Sequence, residues 1–280
     1  MLERLYLNRC AIFNVLTDKN ITNRSLAEKL EIKETEWTLI DSLIKVLKPI
    51  HMTTTVLCTE KHSPISMIRP IIKKIIEKHL LHSDDEDTVI QSLKKTIVLE
   101  LERRFFLDLS PTEQILPEQI ASFLDPRYKD LEHEALSTRE EIRSRVKEIL
   151  SMSDTINLND KTLNNLGDQQ KCHSNALEYI YGTEFNDDDD LTKQFENYIA
   201  EPQLRFTLDP KEWWKTRFSK YPVIGDLAKK YLTIPATSVS SERCFSTAGN
   251  IVTRKRASLS PENVNMLVFL HQNKYLLNKI

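Results

Sequence analysis

The chain has 280 residues, of which 40% are hydrophobic and 29% are charged, with a formal net charge of −2. This is the composition of an ordinary globular protein with one or two packed cores. Only 4 residues are glycine, and neither a G-x-x-x-x-G-K-[ST] loop nor a G-x-G-x-x-G fingerprint occurs. Those glycines let the backbone approach phosphate groups, so the composition argues against a nucleotide-dependent enzyme.

The cysteines do not form a disulfide or zinc pattern, since the four of them are scattered at Cys10, Cys58, Cys172 and Cys244. Free thiols suit a reducing compartment. The spacings Cys58 to His62 and His79 to His82 are loosely metal-like, but no further pair completes four zinc ligands. We therefore predict no metal site. We also expect no small-molecule substrate.

The N-terminus lacks a basic segment followed by an apolar core, and no apolar run approaches the roughly 18 residues of a membrane span. We expect a soluble, intracellular protein. Its charge is uneven, because residues 201–280 hold 13 lysines and arginines against 6 aspartates and glutamates. The C-terminal segment is therefore a candidate for contact with a polyanion.

Apolar residues recur at helical spacing through residues 1–150, and none of the stripes alternates as a half-buried strand does. Pro49 should end or kink the first long helix. The predicted fold class is mainly α, with residues 1–150 forming one helical domain. The stripes are Trp37, Ile40, Ile44 and Leu47; Ile65, Ile68, Ile71, Ile72, Ile75 and Ile76; Ile90, Leu93, Ile97, Leu101 and Phe105; and Ile142, Val146, Ile149 and Leu150.

Residues 151–200 are predicted to be a polar and acidic linker with short helices. Residues 151–171 are rich in Asn, Asp and Ser, which favours a loop or disordered linker. The four carboxylates of 187–190 are adjacent like charges, which indicate a solvated loop more than a metal site.

Residues 201–280 contain stronger helix signals. Asp209 followed by Pro210 is a typical helix start, and Ser260 followed by Pro261 is another. Trp213 and Trp214 can bracket a wide apolar face, and packing in a core is favoured over stacking on nucleic-acid bases.

Several short motifs of the chain form one pattern. They are F-L-D-P-R-Y-K at 123–129, D-P-x-x-W-W at 209–214, I-P-A-T-S at 234–238, S-E-R-x-F-S at 241–246, A-G at 248–249 and K-R-x-S-L at 255–259. These motifs, in this order, resemble the C-terminal part of hAT-superfamily transposases, known as the hAT dimerisation region. BED-finger domesticated transposases are the nearest in pattern.

The resemblance implies a ribonuclease-H-like catalytic domain that is interrupted by a long helical insertion. In active members, two aspartates and one glutamate hold divalent metal for DNA strand cleavage and transfer. Glu242 matches the glutamate, whereas both aspartates and the zinc finger would precede Met1. The chain is then expected to hold the insertion array and the closing helices of a domain whose sheet is largely missing, and Mg²⁺ is expected only in a complete parent transposase.

Glu242 is predicted to lie on a helix that starts near Thr237 or Ser238. It is about 100° from the centre of the apolar face that includes Phe245, because successive residues are about 100° apart. Glu242 is an ancestral catalytic position by resemblance, and a solvated or arginine-paired glutamate by default. One carboxylate cannot hold two metal ions, so we predict no catalysis by this chain alone.

The last predicted helix carries two apolar stripes, one with Leu267 and Val268 and the other with Leu270. Such a helix is either sandwiched within its own domain or shared with a partner chain. The residues predicted to serve dimerisation or the core are Trp213, Trp214, Phe245, Leu267, Val268 and Leu270.

A basic cluster, formed by Arg254, Lys255 and Arg256, lies between the last two predicted helices. Its functional interpretation is phosphate contact with DNA, and its default interpretation is a solvated loop.

Three functions stay open. The first is a transposase-derived fragment in the nucleus that forms a homodimer and binds DNA. The second is part of an active transposase, and the third is a decayed copy.

Overall fold

The computed structural model describes residues 1–59, 63–83, 85–107, 115–163, 187–252 and 259–277. This part of the chain is mainly helical, which confirms the predicted class, and its only strand-like pairing is an isolated bridge between Pro64 and Pro235. The helices are α1 Leu2–Leu7, α2 Arg9–Thr17, α3 Arg24–Leu30, α4 Glu34–Leu57, α5 Ile68–His79, α6 Thr88–Arg104, α7 Pro117–Leu124, α8 Leu136–Leu163, α9 Asp187–Ala200, α10 Pro210–Arg217, α11 Pro222–Leu232, α12 Val239–Ile251 and α13 Pro261–Leu277.

Local signals account for several helix starts. The side chain of Asp87 accepts a hydrogen bond from the Val89 amide, and Asp209 accepts one from the Lys211 amide, both at 2.9 Å. These caps satisfy amides that have no partner within the first helical turn. Proline stands at the first position of α7, α10, α11 and α13, where its missing N–H costs nothing.

The chain divides into two compact units. The first consists of residues 1–56 and 69–113. Its core comes from the predicted stripes of α5 and α6 and from Leu39, Leu43 and Val46 of α4, and the fully packed side chains are Val46, Ile75, Leu80 and Ile90. The stripe predicted for α4 was wrong as the core face, since none of its four residues belongs to this core and Leu47 is 39% exposed. Helices α1, α2 and α3 contribute no buried residue to this unit.

The second unit consists of residues 57–68 and 114–280. Its core joins α7 and α8 to α9, α10 and α11, so segments more than 70 residues apart share one apolar interior. The largest side chains with no exposed surface are Phe123, Tyr198 and Tyr221. The predicted face of α8 is buried here.

Two local predictions were wrong. Residues 151–163 continue α8, and residues 187–190 begin α9. A long helix can extend into a polar segment because Asn, Asp and Ser disfavour helix only by fractions of about 1 kcal/mol each. Acidic residues in a first turn are also favoured by the helix dipole, which explains the start of α9.

Pro49 does not end α4, which continues to Leu57. No helix in the described ranges is long and apolar enough to cross a membrane.

Candidate functional site

The last two helices pack against each other and leave most of their apolar side chains in solvent. Helix α12 has no buried residue, and Phe245 on it is 76% exposed. Among the side chains of α13 that the structure describes, Val268 is the one large apolar group that is buried. We call the following set the C-terminal apolar face, because each member is more than a third exposed: Phe245, Val252, Met266, Leu267, Phe269, Leu270, Tyr275 and Leu276.

The C-terminal apolar face includes residues that the sequence pattern missed. Phe269 is 64% exposed and Leu276 is 47% exposed, and neither belongs to the two predicted stripes. At about 100° per residue, Met266, Phe269 and Leu270 lie within one arc of about 100° on α13. Leu270 belongs to the second predicted stripe, so Phe269 widens that stripe, and counting every apolar residue of the helix would have found it.

Glu242 lies in the first turn of α12, as predicted, and its side chain is exposed. The hydroxyl of Ser238 donates a hydrogen bond of 2.7 Å to Glu242 Oε1. No three histidine, cysteine, aspartate or glutamate side chains are grouped to hold a metal ion in the part of the chain that the structure describes. The carboxylate therefore has no companions there, and these residues do not fit a magnesium pair.

Trp213 and Trp214 lie in the core, where they are 8% and 7% exposed. The indole nitrogen of Trp214 donates to the Leu124 carbonyl oxygen at 2.9 Å. The ring of Tyr198 stacks on Trp214 with centroids 5.3 Å apart, and its hydroxyl donates to the Phe123 carbonyl at 2.8 Å. Burial raises the pKa of the Tyr198 hydroxyl well above its ordinary value. The two tryptophans hold the unit together and contribute little to its exposed surface.

The F-L-D-P-R-Y-K motif forms a buried turn. Asp125 is fully buried and accepts two hydrogen bonds from the Arg127 side chain, at 2.7 and 3.0 Å. Burial acts to lower the pKa of the Arg127 guanidinium, but the hydrogen bond with Asp125 and the charge interactions with Asp125, Tyr128 and Asp209 together raise that pKa above its ordinary value. Lys129 donates to the Ile199 carbonyl at 2.7 Å, and burial raises the pKa of Tyr128 to about 12. The motif is structural, since its charged groups are paired with internal partners.

The basic cluster of Arg254, Lys255 and Arg256 lies outside the described residues.

A comparison with protein families matches residues 194–274 to the hAT family C-terminal dimerisation region. The matched segment begins within α9 and ends within α13. It therefore includes the buried tryptophans and six of the eight residues of the C-terminal apolar face, all except Tyr275 and Leu276.

Curated relatives agree with this match. The chain is 25% identical over 257 residues to the putative AC transposase of Zea mays, covering 84% of this chain and 31% of that protein. It is 25% identical over 293 residues to zinc finger BED domain-containing protein 4 of Homo sapiens, covering 99% and 23%. Zinc finger protein 618 of Homo sapiens is 25% identical over 244 residues, covering 84% and 23%. The chain thus spans less than a third of the length of these relatives, and its residues 194–274 are similar to the hAT family C-terminal dimerisation region.

Proposed function

We propose that this chain forms a homodimer through the C-terminal apolar face, as the dimerisation part of a hAT transposase-related protein. The observation that carries the proposal is the exposure of eight large apolar side chains on or directly after two adjacent helices, six of them within the residues matched to a dimerisation region. Exposed apolar surface of this extent marks sites of association, because leaving it in water is unfavourable.

The aromatic members of the face are its expected centre. Phe269 and Tyr275 are exposed by 64% and 56%, and Phe245 by 76%. Aromatic side chains contribute large contact areas and are over-represented at the centres of interfaces. A second copy presents the same face, so a two-fold contact covers both at once.

The test is sedimentation equilibrium of the full chain from about 1 to 50 μM, a range that brackets ordinary homodimer affinities. Phe269→Ser with Leu270→Ser should raise the dissociation constant by roughly tenfold or more. Leu136→Ser is the matched control, since Leu136 is 75% exposed on α8 and outside the face. A wild-type chain that stays monomeric throughout this range would overturn the proposal.

We also expect α12 and α13 to be the closing helices of a ribonuclease-H-like domain in a longer parent protein. It is supported by the S-E-R motif around Glu242 and by the apolar surface of both helices. The competing occupant of the face is then a sheet from another part of a longer parent protein. A monomeric chain whose apolar face is covered on addition of such a segment favours this second candidate.

We also propose that the chain alone does not cut DNA. Glu242 is exposed and accepts a hydrogen bond from Ser238 at the start of the same helix. A two-metal mechanism holds two ions about 3.5–4 Å apart and therefore requires further carboxylates beside this one. The alternative is a parent transposase whose aspartates lie elsewhere. Metal-dependent nicking of DNA by the purified chain, lost in Glu242→Gln, would contradict inactivity.

DNA contact and a nuclear location complete the proposal. The support for DNA contact is the net charge of +7 in residues 201–280, with 13 basic against 6 acidic residues, and the cluster at 254–256. A basic surface binds DNA phosphates without sequence preference. The nuclear location follows from DNA as the partner, and imaging of a tagged chain tests it.

A further inference from the structure

The segment that leads into α12 is held by an isolated antiparallel bridge. The Ile65 amide donates to the Ile234 carbonyl, and the Ala236 amide donates to the Ser63 carbonyl, both at 2.9 Å. Pro64 and Pro235 face each other at the centre of the bridge. We call residues 233–238 the link, because it joins the end of α11 to the start of α12.

The prolines restrict which pairing can form. A proline has no amide proton, so a register that puts Pro64 or Pro235 at a donor position loses one of the two hydrogen bonds. Each proline instead stands one residue before a donor, at Ile65 and Ala236. The Thr237 hydroxyl adds a third hydrogen bond, to the Leu57 carbonyl at 3.4 Å, at the end of α4.

The other side of the bridge is anchored in the buried turn of the second unit. Ser66, one residue after Ile65, has no exposed surface and donates to Asp125 Oδ2 at 2.7 Å. The Ser122 hydroxyl donates to the Ser66 carbonyl at 2.9 Å. Asp125 is itself hydrogen-bonded to Arg127. The buried turn is therefore connected to the link through Ser66, the adjacent Ile65 and the hydrogen bond from Ile65 to Ile234.

This connection matters because α12 and α13 have little burial of their own. Helix α12 buries no side chain and, among the described side chains of α13, Val268 is the large apolar group that is buried. A helix pair with so little packing is oriented mainly by the segment from which it emerges. Within the second unit, that segment is the link.

We infer that Ser66, Asp125 and Thr237 are positioning residues for self-association, because they orient the C-terminal apolar face through the link. This inference rests on the proposed homodimer. None of the three residues lies on the face, so their effect on association is exerted through the orientation of α12 and α13.

The test uses Ser66→Ala in the full chain, since this variant removes one hydroxyl and leaves the Asp125–Arg127 pair. Amide hydrogen exchange of peptides covering 233–238 should become several-fold faster. The dimer dissociation constant should rise roughly three- to tenfold, the scale of one buried hydrogen bond. Thr237→Val is the second variant, with a nearly isosteric side chain, and the exposed Ser219→Ala is the control that should change neither quantity.

The outcomes separate the two proposals. Unchanged exchange of the link in both variants overturns the positioning role, whatever the oligomeric state. Faster exchange with an unchanged dissociation constant overturns the claim that the link orients the interface. Faster exchange in the variants, beside a wild-type chain that is monomeric at every concentration, overturns the homodimer and leaves the coupling of Ser66 to the link in place.

Discussion

The indole nitrogen of Trp214 donates a 2.9 Å hydrogen bond to the carbonyl oxygen of Leu124, 90 residues earlier in the chain. Both residues are almost fully buried. The bond ties α10, within the family region, to the end of α7 outside it. A carbonyl group at the end of a helix has no intrahelical partner, so Trp214 supplies the one that Leu124 needs.

Trp214→Phe should therefore lower the free energy of unfolding by about 1–3 kcal/mol, because the Leu124 carbonyl is left buried without its donor. Denaturant titration followed by circular dichroism measures the change. Trp213→Phe is the matched control: it removes the same atoms from an adjacent core tryptophan, whose ring lies 4.8 Å from the Arg217 guanidinium carbon. Equal losses in the two variants would contradict a specific role for the hydrogen bond.

Asp125→Ala should be more damaging, with a loss of about 3–5 kcal/mol, because it leaves the buried Arg127 charge without its partner. The side chains of the pair are 0% and 4% exposed. Glu148→Gln breaks an ion pair with Arg145 whose side chains are about half exposed, and should cost under about 1 kcal/mol. Thermal unfolding compares the two, and a similar small loss in both would refute the structural role of the F-L-D-P-R-Y-K turn.

Acid should weaken the second unit through Glu201. The hydrogen bond from Lys220 is the largest cause that lowers the pKa of the Glu201 carboxyl below 4.5, and Tyr221 adds to it. A lowered folded-state pKa stabilises the protein above about pH 4.5, and this contribution is lost as pH falls through the folded value. Glu201→Gln should flatten the fall in stability below about pH 4.5.

The control for this pH effect is Glu212→Gln, because Glu212 is exposed and 3.8 Å from Lys215. The stability of the Glu212→Gln variant should follow the wild-type curve of stability against pH between about pH 3 and 6, a range that spans ordinary carboxyl pKa values. Parallel curves for Glu201→Gln and the wild type would show that the hydrogen bonds of Glu201 do not cause the acid sensitivity.

DNA binding through phosphates at Arg254, Lys255 and Arg256 would depend steeply on salt, because binding releases counterions from the duplex. Replacing all three by glutamine should reduce the slope of log affinity against log salt by about 0.9 for each phosphate that is no longer neutralised. Fluorescence anisotropy with a duplex from about 50 to 200 mM salt measures the slope. Lys211→Gln with Lys229→Gln and Lys230→Gln is the charge-matched control, and an unchanged slope in the 254–256 variant removes that cluster from the interface.

Local sequence patterns predicted most of the helices, because helix periodicity and capping are properties of neighbouring residues. The starts at Pro210 and Pro261 and the stripes of α5, α6 and α8 were predicted correctly, whereas the face of α4 that packs in the core is Leu39, Leu43 and Val46 and was missed. The family resemblance was confirmed over residues 194–274. The loop prediction failed at 151–163, where a helix that is well formed at one end continues through residues with weak local preference.

Helical character, the family motifs and the buried faces of α5, α6 and α8 follow from the amino-acid order alone. Only the tertiary structure decided that Asp125 pairs with Arg127 in the core and accepts a hydrogen bond from Ser66. It also decided that most of the apolar side chains described on α13 are exposed and not buried within the chain. The physical reason is distance along the chain: Ser66 and Asp125 are 59 residues apart, and no periodic pattern records which remote partner satisfies a buried charge.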